Sequence, residues 1–116
     1  MRKLSPEATH SLLDELRAEK GENLRIDAFT FHFVSNAEND LNELSVCMEL
    51  LGFRKLRLVP ARGGRDLVME LQRDGDLALE ALQRVDFLLS VICEKWGTIS
   101  YMGCTPIGEL PPRERK

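Results

Sequence analysis

The chain has 116 residues, of which 43% are hydrophobic and 30% charged, and a net charge of −3. That length suits one domain that buries roughly two thirds of its unfolded surface, and the composition excludes a disordered chain. The negative balance argues against general nucleic-acid binding by the whole domain but leaves room for a local basic patch.

Ser5-Pro6-Glu7 opens a helix, with Ser5 as N-cap and Pro6 at the first helical position. Ala8, Leu12, Leu13 and Leu16 form its narrow apolar stripe, and Gly21 ends it. A first strand is expected from about Leu24 to Val34, where Phe29, Phe31 and Phe33 alternate with Thr30 and His32. The next helix starts at Ser35, with Glu38 three residues on in a capping-box pattern. Ala37, Leu41, Leu44, Met48 and Leu51 then recur at helical spacing up to Gly52.

Phe53 to Pro60 reads as a second strand with Leu56 and Leu58 on its buried face, so that Lys55 and Arg57 face away. Ala61-Arg62-Gly63-Gly64 is a hairpin loop, and Asp66 to Gln72 a third strand. Asp74-Gly75-Asp76 supplies a turn and an N-cap for the longest helix, about Leu77 to Lys95. Ala78, Ala81, Leu82, Val85, Leu88, Leu89, Ile92 and Trp96 are its buried stripe, and Gly97 breaks it. Thr98 to Met102 is a short fourth strand. From Cys104 onward a proline-bearing tail is expected to be extended or frayed.

The order is a helix followed by β-α-β-β-α-β, which predicts an α+β domain of the ferredoxin-like, split β-α-β kind with sheet order 4-1-3-2. The whole of residues 1–116 is one domain: a helix at 5–21, the core at 24–103 and a tail at 104–116. Both crossover helices should cover one face of the sheet and leave the other open. The longest apolar runs are too short to cross a bilayer. Met1-Arg2-Lys3-Leu4 leads into a polar helix start rather than an apolar leader, so a reduced, cytoplasmic setting is expected.

Few residues offer chemistry. Cys47, Cys93 and Cys104 are odd in number and widely spaced, with no C-x-x-C, so neither a disulfide framework nor a zinc site is expected. Cys104, following the last strand, should be the most reactive thiol. His10 and His32 are not placed beside a nucleophile and an orienting third group. Asp74-Gly75-Asp76 lacks the ligand alternation of a calcium loop. Phe29, Phe31 and Phe33 are the only strongly apolar set on their strand and so belong to the core, not to a base-stacking surface.

The basic cluster is more informative. Arg54, Lys55, Arg57, Arg62 and Arg65 fall between Phe53 and Asp66 with no acidic residue among them. Lys55, Arg57, Arg62, Arg65 and His32 are therefore the candidate partner-binding set on the open face and hairpin. The plain alternative is an edge strand guarded by charge. The helix at 36–51 carries Glu38, Asp40, Glu43 and Glu49 away from its apolar stripe, so an acidic helical side opposes a basic sheet edge.

The layout resembles a known family. Ala37-x3-Leu41-x2-Leu44 runs to Leu51-Gly52-Phe53 before the second strand, and Ile99-Ser100-Tyr101-Met102-Gly103-Cys104-Thr105 is similar to a closing Tyr-x-Gly-Trp segment. These features resemble the bacterial RraB-type regulators of ribonuclease E activity over about residues 5–107. Members of that family commonly have Asp before the glycine and Trp after it, where this chain has Met102 and Cys104. They also carry a long acidic tail, where this chain ends Arg113-Glu114-Arg115-Lys116.

The resemblance implies a non-enzymatic regulator or adaptor that binds a protein partner, a ribonuclease in the family's case. An acidic protein surface is the wider class of partner. No catalytic, cofactor-binding or metal-binding residues are expected, nor membrane association or direct nucleic-acid binding, and a homodimer stays open. The alternative function is a small-ligand or anion-binding domain that uses the open sheet face.

Overall fold

A computed structural model describes residues 6–20, 26–61, 64–75 and 77–107. The elements run α1 (Pro6–Lys20), β1 (Ala28–Ser35), α2 (Glu38–Glu49), β2 (Arg54–Pro60), β3 (Leu67–Asp74), α3 (Leu79–Trp96) and β4 (Ile99–Ile107). The four strands form one antiparallel sheet in the order β2-β3-β1-β4. The chain is α+β, as its periodicities predict.

Strand alternation decides the two faces. Phe29, Phe31 and Phe33 pair across β1 with residues of β3 and β4 that point the same way. All three phenylalanines are fully buried, with Met69, Leu71 and Cys104 beside them. Leu13 of α1, Leu41, Leu44 and Met48 of α2, and Leu82, Leu89 and Cys93 of α3 close the same core. The three helices thus share one face of the sheet. Phe31 lies 5.3 Å from Phe53 in an edge-to-face contact and 6.5 Å from Tyr101 in a stacked one. Such ring geometries stabilise beyond simple area burial.

Several local expectations shift. Ser5, Gly21, Leu24, Arg62, Gly63 and Asp76 lie outside the described residues, as do the side chains of Ala8 and Leu16. Ser35 ends β1 instead of capping α2: its Oγ accepts from the Ala37 N–H at 2.9 Å, and Ala37 takes the N-cap position without a side-chain cap bond. Ala78, not Asp76, is the N-cap of α3. The hairpin after β2 closes with Ala61 N–H donating to Asp66 O at 2.8 Å. Gly97 stops α3 in the left-handed region at φ 75°, its N–H donating to Cys93 O. Leu51 and Leu88, expected in buried stripes, are 54% and 50% exposed.

Two bulges matter most. In β4 the register against β1 slips between His32 and Phe33, which leaves Met102 as the extra residue. Gly103, at φ 106°, takes the backbone turn there that other residues avoid. Beyond it β4 continues to Ile107, pairing Cys104 with Phe31 and Thr105 with Thr30. Residues 104–107 are therefore sheet, not the frayed tail expected. β4 is an edge strand, which tolerates Pro106. In β2 the register slips between Lys55 and Arg57, with consequences for the candidate site.

Candidate functional site

Among the described residues no helix covers the second face of the sheet. That face carries Thr30, His32 and Val34 of β1, Val68, Glu70 and Gln72 of β3, and Thr105 of β4. Arg57 of β2 pairs with Glu70, and Val59 with Val68.

A polar ladder crosses the full width of this face. Arg57 Nε donates to Glu70 Oε1 at 2.8 Å and Arg57 Nη2 to Glu70 Oε2 at 3.2 Å, a two-pronged contact. His32 Nδ1 lies 3.4 Å from the same Glu70 Oε2. On its other side His32 Nε2 is 3.2 Å from Thr105 Oγ1. β2, β3, β1 and β4 thus each contribute one member. The Arg57 hydrogen bond holds the Glu70 carboxyl below the usual carboxylate range. Burial lowers the His32 pKa, against the opposing pull of Glu70, so the imidazole is neutral near pH 7.

The expected basic patch only partly assembles. Arg57 and His32 do share the open face. Lys55 does not: the bulge places it opposite Leu71, on the helix side, where its Nζ donates to Asn42 Oδ1 of α2 at 3.4 Å. Leu56, expected in the core, is 42% exposed for the same reason. One extra residue reverses the in–out alternation behind it. Arg65 is exposed beside the hairpin, away from the ladder, and Arg62 lies outside the described residues. Acidic partners on β3 also offset the charge, since Arg54 lies 3.5 Å from Asp74 much as Arg57 meets Glu70.

A second polar cluster lies on the helix side. Asp86 of α3 is 4% exposed, and its Oδ2 is 2.6 Å from His10 Nε2 of α1. Tyr101 of β4 donates its hydroxyl to Asp86 Oδ1. Burial raises the Asp86 pKa above the usual carboxylate value, while the bonds from Tyr101 and His10 oppose that rise. Burial also pushes the Tyr101 hydroxyl and the Cys104 thiol far up, and Cys93 to about 11. The Tyr101 hydroxyl and the two thiols therefore stay protonated near pH 7, the opposite of the shift that a thiol nucleophile needs. Cys104, expected to be the most reactive thiol, is fully buried, whereas Cys47 is exposed. The sequence does hint at this cluster, since Asp86 interrupts the stripe Leu82, Leu89 and Cys93 at helical spacing.

Comparison with family models, curated proteins and solved structures finds no match. Among the described residues no group of three or more His, Cys, Asp or Glu side chains could hold a metal ion, and no helix is long and apolar enough to cross a membrane.

Proposed function

We propose that the chain is a non-enzymatic regulator or adaptor that binds a protein partner with the uncovered face of a ferredoxin-like sheet. The observation that carries this reading is the Arg57–Glu70–His32–Thr105 ladder, which crosses all four strands on the face that no helix covers among the described residues. Cross-strand bonds hold these side chains in place, so a docking surface finds donors and acceptors already ordered and loses less conformational freedom on binding. The partner class that the RraB resemblance implies is an endoribonuclease of the ribonuclease E type. The pairing of Arg57 with Glu70 and of Arg54 with Asp74 weighs against the small-anion alternative, because both guanidinium groups are already engaged.

The test titrates the purified chain against a purified ribonuclease E-type endonuclease, using wild type and the charge swap Arg57→Glu with Glu70→Arg. The swap keeps an ion pair within the sheet but inverts the order of charge presented to a partner. The expected result is binding by wild type that weakens about tenfold or more in the swap, mainly through specificity and association rate. Failure of wild type to bind rules out that partner class. Equal binding by the swap rules out this face, and substrate turnover by the chain alone rules out the non-enzymatic reading.

A further inference from the structure

The outer side of α2 exposes aliphatic side chains among its polar ones. Its core side is Leu41, Leu44, Ser45 and Met48. On the opposite side Val46 is 60% exposed and Leu50, one turn on, is 85% exposed. Leu50 keeps right-handed helical geometry at the C-cap, so the i, i+4 alignment of the two holds. Leu51, 54% exposed, extends the patch past the helix end. An amphipathic helix needs only one apolar side, and a second marks a contact surface.

The charge on α2 narrows what could cover that surface. Glu38, Asp40, Glu43 and Glu49 lie on the helix with no lysine or arginine. Glu43 is in line with Val46 and Leu50 at helical spacing, and Glu49 stands next to Leu50. A second copy is a poor occupant, since a two-fold contact through this side would set one carboxylate-only helix against another. Anionic lipid is disfavoured by the same repulsion. Two apolar side chains one turn apart, flanked by carboxylates, complement a helix with leucine-like residues in a stripe and lysine or arginine beside them.

We infer that the outer side of α2, centred on Val46 and Leu50, is a docking surface for a basic amphipathic helix of another protein. This surface is separate from the open sheet face, and its use does not depend on the reading given to that face. The domain would then engage partners on two sides: a polar sheet and an acidic, apolar helix.

The probe is a designed helical peptide of leucine and lysine, about 18 residues or five turns long, with a leucine–glutamate peptide of the same pattern as control. Fluorescence anisotropy with the labelled peptides reads binding to wild type, to Val46→Ser with Leu50→Ser, and to Glu43→Lys with Glu49→Lys. All four side chains are exposed, so circular dichroism should show both variants folded. The expected result is binding of the basic peptide only, weakened about tenfold or more in each variant and weakened by added salt. Undiminished binding by the serine variant would overturn the inference, because adhesion would then be to charge alone. So would a wild-type dimer in sedimentation that the serine variant dissolves, because a second copy would then be the occupant.

Discussion

Replacing Tyr101 with phenylalanine isolates the buried tie that joins β4 to α3. The ring keeps its place 5.3 Å from Phe33 and 6.5 Å from Phe31, so what is lost is the hydroxyl's contact with Asp86, together with its weaker one to the Cys104 thiol. A hydrogen bond to a charged group contributes about 1.5–3 kcal/mol. A loss near 2 kcal/mol, with a urea slope of about 1–3 kcal/mol per molar, lowers the unfolding midpoint by roughly 1 M. Asp86→Ala should cost about 1–3 kcal/mol, because it removes the carboxylate partner of both the Tyr101 hydroxyl and the His10 ring. The double variant should cost less than the sum, with a coupling of about 1–2 kcal/mol. Linkage supplies a second check. The folded pKa of Asp86 lies above its unfolded value of 3.8, so its contribution to stability is fully present below that value and is lost as pH rises through the folded pKa. The Tyr101 bond limits that loss, so the cost of Tyr101→Phe should shrink on acidification as Asp86 takes up its proton. Urea unfolding followed by circular dichroism measures all of this. A cost for Tyr101→Phe under about 0.5 kcal/mol, the level of an ordinary surface change, or strict additivity with Asp86→Ala, would refute the tie.

Phe31→Ala removes a fully buried ring packed on Phe53 and should destabilise by about 3–5 kcal/mol; thermal unfolding near that of wild type would contradict the assignment of faces. His32 has a folded pKa below 6.5, so its stabilising contribution is present above 6.5 and is lost as pH falls through the folded value. The stability of wild type relative to His32→Gln should therefore drop with acidification below pH 6.5, and a constant difference would exclude a buried, neutral imidazole in the ladder. Cys47 should be the one fast thiol toward a disulfide reagent, since Cys93 and Cys104 are buried with raised pKa values; rapid labelling of Cys104 would mean that β4 opens readily beyond its bulge.

The alternation of Phe29, Phe31 and Phe33 is legible in the amino-acid sequence alone, because side chains on a strand change face at every residue and, among the described residues, helices cover only one face of this sheet. The spacing of Leu41, Leu44 and Met48 places α2 on the core for the corresponding helical reason. Those periodic signals also put Arg57 and His32 on the same open face. What sequence could not reveal are the two places where alternation breaks. Nothing local in Lys55-Leu56-Arg57 marks a bulge, yet the one there carries Lys55 to α2 and leaves Leu56 in solvent. Nor does Tyr101-Met102-Gly103 show by itself that β4 runs on to Ile107, burying Cys104 and bringing Thr105 to His32. The Asp86 tie is likewise tertiary, because His10, Asp86 and Tyr101 come from α1, α3 and β4 and meet only when the helices pack. Periodicity is a property of one segment and can be read from it. Register and long-range pairing depend on the free energy of two segments together, and a single inserted residue reverses every side chain that follows.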